Sequence, residues 1–398
     1  MDGGLVPWSR LQALADREGV DAILVSSPEN VTYLSEYWGL SHWARRGTQV
    51  YAVAWNEPRR SVDLIVPATI ADQVTDEVAA CSRPNVYGQF PLFAGSADLT
   101  AEESRILAAS CGATAGPLEA LVSVLTANGR GETRLAVERV GIQPEVLSGL
   151  AERLRSLRLV PADQLLAELR SVKSPREIEA VRTAALITER SITDSIAFVR
   201  PKASEMAVAM AFQQSLVSRG ALPQTTVIGA GRRSALPHGQ PTDRSIAAGD
   251  MVRFDVGCRF DHYVSDIART MAVRSATDEQ RAGYAALWQG VEAAAAATRP
   301  GVTGAEVFQA AMTAVRAAGL PDYQRGHCGH GIGIANYDLP RITADSTDVI
   351  EPGMVICLET PYYRVGDFGL QVEDTFVVTN RGVDRVTTAP AELEAVGE

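Results

Sequence analysis

Four carboxylates and one imidazole in the second half of the chain occupy positions that solvated surface does not explain. Asp255 and Asp266 belong to Phe254-Asp255-Val-Gly257-Cys-Arg-Phe-Asp-His262-Tyr263-Val-Ser265-Asp266-Ile-Ala-Arg269-Thr270, which reads as two strands joined by a turn. Such a hairpin can hold the two aspartates close together. Glu359 ends an apolar strand launched by the turn Glu351-Pro352-Gly353-Met354. Glu373 is embedded in Leu370-Gln371-Val372-Glu373-Asp374-Thr375, with apolar flanks that favour burial. His330 sits in Gly326-His327-Cys328-Gly329-His330-Gly331-Ile332-Gly333, where glycines permit the tight backbone approach of a ligand loop.

Carboxylates placed side by side in a core repel each other and lose hydration. A divalent cation relieves both costs; a purely structural alternative has Arg269 neutralise one of them. Oxygen-rich ligation with one imidazole suits Mn, Co, Fe or Zn and lacks the thiolates of a structural zinc site. Four carboxylates carry too much charge for one ion. They suit two ions about 3.5–4 Å apart with bridging ligands, a pair that lowers the pKa of a bridging water and polarises a carbonyl.

The elements that must position these groups are legible in outline. The first half alternates helix and strand patterns: a helix at 8–18, strands at Asp21–Val25, Gln49–Trp55, Ser61–Val66 and Arg134–Glu138, and helices near 68–79, 101–112 and 143–156. That alternation predicts an α/β domain. A boundary follows near Leu169–Ser174, so the expected domains are 1–168 and 169–398. Ser174-Pro175-Arg176-Glu177 opens a helix with an N-cap serine, a first-position proline and a capping-box glutamate. The second half holds a weak repeat of about 100 residues. Arg200-Pro201, a helical stretch and Gly220-Ala-Leu-Pro223 return as Arg299-Pro300, a helix and Gly319-Leu-Pro321. Two related halves packed face to face would bring ligands from distant segments to one place.

Composition narrows the function. The chain has 398 residues and a formal charge of −11, which argues against a nucleic-acid binder. Apolar runs fall short of a membrane span, and the start Met-Asp-Gly-Gly predicts no signal peptide. Five scattered cysteines without CxxC pairs suit a reducing cytoplasm. Of the five histidines, His238, His262, His327 and His330 fall within one stretch, and His42 stands alone in the first half.

In order and spacing, the Asp255, Asp266, His330, Glu359 and Glu373 segments resemble the pita-bread metallopeptidases: aminopeptidase P, prolidase, methionine aminopeptidase and creatinase. The resemblance covers nearly the whole chain, its first half resembling the extra domain of the prolidase, aminopeptidase P and creatinase branch. It implies a pita-bread C-terminal domain with a pseudo-twofold repeat, a soluble homodimer, and two divalent ions. Asp255 would be a terminal ligand, Asp266 and Glu373 bridging ligands, and His330 and Glu359 ligands of the second ion. Glu359 would also handle the proton.

Smaller matches add substrate contacts. His238 matches the family's proximal histidine, against the alternative of a core-satisfied one. Leu339-Pro340-Arg341 resembles the prolidase segment whose arginine meets a dipeptide's C-terminal carboxylate, against that of an ordinary surface arginine. Two departures stand out. Family members specific for Xaa-Pro carry histidines four residues before and seven after the metal histidine; here those places hold Gly326, with His327 one later, and Tyr337. Tyrosine donates a hydrogen bond but cannot become cationic near neutral pH. The expected activity is hydrolysis of Xaa-Pro-like peptide bonds. Hydrolysis or lysis of a small non-peptide metabolite is the second reading, and a dead binding module is disfavoured because all five ligand residues are present. The Tyr37–Arg46 loop, with Trp38, His42 and Trp43, is a further candidate to line the site, against the alternative of simple packing or surface.

Overall fold

The computed structural model describes residues 5–44, 49–57, 61–128 and 132–397. Its contacts divide the chain into two units, Met1–Leu169 and Arg170–Glu398.

The first unit is built on a six-stranded mixed sheet in the order Arg83–Tyr87, Val62–Pro67, Tyr51–Trp55, Ala22–Val25, Thr133–Val137, Leu157–Pro161. The helices Pro117–Ala127 and Pro144–Arg153 cover one face, burying Leu121, Val124 and Leu150 against Leu24, Val53 and Leu135. The sequence reading missed the strands Arg83–Tyr87 and Leu157–Pro161 and the helices Pro28–Ser35, Pro117–Ala127 and Asp163–Ser171, and two further details are instructive. The helix near 68–79 is a 3₁₀ turn, Ala68–Gln73, and a separate helix, Asp76–Cys81. Thr75 causes the break, because its side chain accepts a hydrogen bond from the Val78 amide and starts a new helix. The Arg83–Tyr87 strand carries Pro84, which an edge strand tolerates. In the aromatic loop, His42 is buried with Nε2 2.9 Å from the Ser26 carbonyl, and Trp38 stacks on Trp43 with centroids 4.6 Å apart. These contacts lie within the first unit; Arg45 and Arg46 lie outside the described residues.

Among the described residues, the second unit has a ten-stranded sheet, a separate two-stranded sheet (Tyr362–Tyr363 with Gly369–Leu370) and four α-helices. Helix α1 (Pro175–Ser195) starts at the Ser174–Glu177 capping box, and α2 (Glu205–Ser218) follows. Strands β1 (Leu222–Ala230), β2 (Met251–Phe260) and β3 (Ile267–Val273) come next. Then α3 (Asp278–Ala297) and α4 (Gly304–Ala317) precede β4 (His327–Gly331), β5 (Asp338–Thr343), β6 (Val355–Glu359) and β7 (Glu373–Val378). Spatial order is β5-β4-β6-β7-β3-β2-β1, with antiparallel neighbours throughout and three short strands added off this path. The repeat is structural: α2 and α4 have 14 residues each, and their caps Ser204 and Thr303 each form an isolated bridge, to Ser245 and Val349.

Strand alternation then sorts the side chains. Ile356, Leu358, Phe376 and Val378 join the helices' apolar core, and Cys258 donates to the Ala184 carbonyl of α1. Asp255, Glu359 and Glu373, offset from these by an odd number of residues along their strands, turn to the opposite face. Gly257 shares that face: a Cβ there would stand 2.0 Å from the Ser265 carbonyl oxygen, so glycine lets the hairpin close.

Candidate metal centre

One row across the sheet builds most of the site. In register, Asp255 of β2 faces Ala268 of β3, Ala268 faces Glu373 of β7, and Glu373 faces Glu359 of β6. Partners directly opposite in an antiparallel sheet share a face, so three carboxylates and one methyl line up on one side. Asp266, two residues before Ala268, joins the same side. Ala268 is the small member of the row, and its methyl leaves space between the carboxylates flanking it.

His330 arrives by a different device. His327 and His330 are three apart and would point to opposite faces of a regular strand, yet both line the cavity. A register irregularity between them absorbs the odd step. Gly329 makes it possible: its φ is +153°, and a Cβ there would lie 2.3 Å from the Cys357 carbonyl oxygen. Cys328, between the histidines, packs into the helix-side core.

The resulting cavity measures about 310 Å³ and is lined by Asp255, Asp266, His330, Glu359 and Glu373 together with His238, His327 and Tyr337. Ligand atoms of Asp266, His330 and Glu373 lie within 4.8 Å of one another. Glu359 accepts from Gln371 Nε2 at 3.1 Å and lies 3.2 Å from His327 Nδ1. Tyr337 stacks on the His330 ring with centroids 4.2 Å apart. His238 is exposed at the cavity wall. Arg341 is absent from the lining; its guanidinium pairs with Asp348 at 3.0 Å and its side chain is 64% exposed. Lining residues not anticipated from sequence include Thr225, Val227, Arg325, Tyr363 and Gln371, and Arg253 bonds Asp255 and Gln371 at 3.0 and 2.7 Å. Alternation from Asp255 would have flagged Arg253, whereas Arg325 lies outside any strand.

The electrostatics call for a cation. Burial, then the charges of Asp255 and Glu359, push Asp266 well above the usual carboxylate range. Burial and the Asp266 charge do the same to Glu373, and Glu359 is pushed up to about 7 by burial and Asp255. Burial lowers His330 to about 4, keeping its imidazole neutral and able to ligate. Asp266 Oδ1 is buried with no hydrogen-bond partner. The Arg269 alternative falls away, because that guanidinium bonds Asp374 at 2.7 Å and the Glu373 carbonyl at 2.6 Å. An oxygen-rich donor set with one neutral imidazole and an orphaned carboxylate oxygen fits divalent metal.

A pH dependence follows. Raised carboxylates stabilise the fold below their unfolded pKa, and that stability is lost as pH rises through the folded value, for Glu359 between about 4.5 and 7. His330 has the opposite sign, its contribution present above 6.5 and lost as pH falls towards about 4. Above pH 6.5 only the carboxylate loss remains. The melting temperature of chelator-treated protein is expected to fall from pH 6.5 to 8, and Mn²⁺ to remove most of that fall. Equal slopes with and without Mn²⁺ in scanning calorimetry would contradict a metal role for these groups.

Comparison with known proteins agrees with this geometry. Residues 179–380, about half of the chain, match the metallopeptidase family M24. The chain belongs to this family. As a member of M24 it is a hydrolase, and residues 7–172 match the creatinase/prolidase N-terminal domain. An Xaa-Pro dipeptidase of Pyrococcus horikoshii is 29% identical over 330 residues, covering 80% of this chain and 94% of that relative. A probable dipeptidase PepE of Mycobacterium tuberculosis is 34% identical over 249 residues, 62% of this chain and 66% of the relative. The crystal structure of dipeptidase PepE from Mycobacterium ulcerans superposes with a TM-score of 0.78 at 25% identity, covering 98% of this chain and 97% of that one. The M24 fold here is the pita-bread type with a creatinase-type N-terminal domain. Among the described residues no helix is long and apolar enough to cross a membrane.

Proposed function

We propose that this M24 member is a two-metal dipeptidase, acting on short Xaa-Pro-like peptides through its second unit. The observation that carries the reading is the convergence of Asp255, Asp266, His330, Glu359 and Glu373 on one cavity, with a buried Asp266 oxygen lacking any partner. The similarity to an Xaa-Pro dipeptidase along 94% of that relative supports the substrate class. Bound there, two divalent ions would supply Lewis acidity and a water of lowered pKa.

The chain's own groups do the rest. Glu359, held by Gln371 and beside His327, is placed to take a proton from the attacking water and return it to the leaving amine. His238 and Tyr337 face the same space and can hydrogen-bond a substrate carbonyl. Tyr337 is protonated near neutral pH, as a phenol is, so it acts as a donor.

Tyr337 also favours the second reading, a small non-peptide metabolite, because a neutral phenol stands on the His330 ring. Mn²⁺-loaded protein assayed with Xaa-Pro dipeptides, Xaa-Pro tripeptides and small amides separates the two. Expected is measurable but slow dipeptide cleavage, with kcat/KM below about 10⁵ M⁻¹s⁻¹. Tyr337→Phe should lower it by about 10²-fold, the cost of one oxyanion donor, and Tyr337→His should quicken it. Cleavage of a small amide alone would favour the metabolite reading. Fast dipeptide turnover indifferent to Tyr337→Phe would remove Tyr337 from the mechanism.

A further inference from the structure

Three arginines bear on where a substrate's negative charge would go, and two are already committed. Arg253 uses its whole guanidinium fork: Nε to Ser234 O at 2.8 Å, Nη1 to Asp255 and Gln371, Nη2 to Leu236 O at 2.7 Å and Pro237 O at 3.0 Å. Arg341, the arginine expected from the motif, is bidentate on Asp348 outside the cavity. Arg325 differs. It lines the cavity beside His327 and Tyr363, and its guanidinium stands 5.4 Å from the Tyr363 ring centroid, while Arg253 stands 5.2 Å from that ring. Among the described residues its side chain makes no hydrogen bond or ion pair, and its Nε is buried without a partner.

A half-buried guanidinium with its donors free is an anion site waiting for a planar, bidentate ligand. Leaving a buried donor unsatisfied is costly, so an arginine kept this way in a ligand cavity gains most when the ligand arrives. The cavity is small for a ligand site, which limits how far that anion can lie from the reacting carbonyl.

Resting on the dipeptidase reading, we infer that Arg325, not Arg341, binds the free C-terminal carboxylate of a short peptide substrate. Its fork would receive the carboxylate on the His327 and Tyr363 side of the cavity, with the scissile carbonyl towards the acidic row. The enzyme is then specific for peptides whose carboxyl terminus lies next to the scissile bond, and it discriminates against C-terminal amides.

The test compares an Xaa-Pro dipeptide with its C-terminal amide on Mn²⁺-loaded protein. Wild type should prefer the free acid by about 30- to 100-fold in kcat/KM, the scale of a charge-assisted bidentate contact. Arg325→Gln should remove that preference by raising KM for the acid more than for the amide, with circular dichroism and metal content matching wild type as the control for folding. Arg325→Lys should keep part of it. Arg341→Gln should reduce the preference less than Arg325→Gln does. An equal loss on acid and amide in Arg325→Gln, or a preference lost only in Arg341→Gln, would overturn the assignment. If wild type cleaves neither peptide, the dipeptidase reading fails by itself, and the same pair is titrated by calorimetry. Tighter binding of the acid that vanishes in Arg325→Gln still supports the carboxylate site; no acid preference, or one that persists in the variant, overturns it.

Discussion

Glu373→Gln is expected to lower kcat/KM by at least about 10³-fold, strip one or both ions, and yet raise the melting temperature of the chelated protein. The two directions have one cause. Glu373 is 2% exposed and sits in the row with Glu359, beside Asp266. With ions present its charge is used; without them it is one of several like charges held out of water. Glutamine keeps the shape and removes the charge, so the chelated variant should melt roughly 3–6 °C higher at pH 8. Elemental analysis should find fewer than two ions per chain, and Asp266→Asn should behave alike. Full activity with less than one ion per chain would contradict the two-metal assignment.

Gly329→Ala is the second large effect, and it tests the route by which histidine reaches the site. The added Cβ would meet the Cys357 carbonyl oxygen at 2.3 Å, at a φ of +153° that suits glycine. The neighbour is strand backbone, so β4 must shift away from β6. Cost in stability should be about 2–4 kcal/mol from strain and overpacking, a fall of roughly 5–10 °C in melting temperature. Activity should drop about 10²-fold, because displacements near 1 Å suffice for that. Cys328→Ala serves as the comparison: it trims the same strand on the helix side and should leave activity largely intact. Equal activity losses in both variants would mean that general loosening, and not the irregularity at Gly329, controls the site.

The convergence of Asp255, Asp266, His330, Glu359 and Glu373 on one cavity was legible because each member breaks a local rule. Asp255, Glu359 and Glu373 place charge within strands whose other residues seek burial, and a glycine-rich segment around His330 has no reason to be apolar. Pairing order was not legible. β3 and β7 are neighbours across about a hundred residues, and nothing local in Ile267–Val273 announces Glu373 as its partner. Side chains that leave their motif are equally hidden: Arg341 follows the expected segment, but Asp348, seven residues on, takes its guanidinium. Arg325 stood too near a known motif to be noticed and outside every periodic element. In the first unit Pro84 disguised an edge strand, and a capping threonine divided a helix that composition alone runs together.

The row Asp255, Ala268, Glu373, Glu359 has a consequence for how the molecule matures. Its members come from four strands, and a slip of one residue in any pairing would turn that strand's contribution to the helix side. A misthreaded sheet would therefore lack part of the acidic row, so the set that could hold a cation is complete only once all four strands have paired in the right frame.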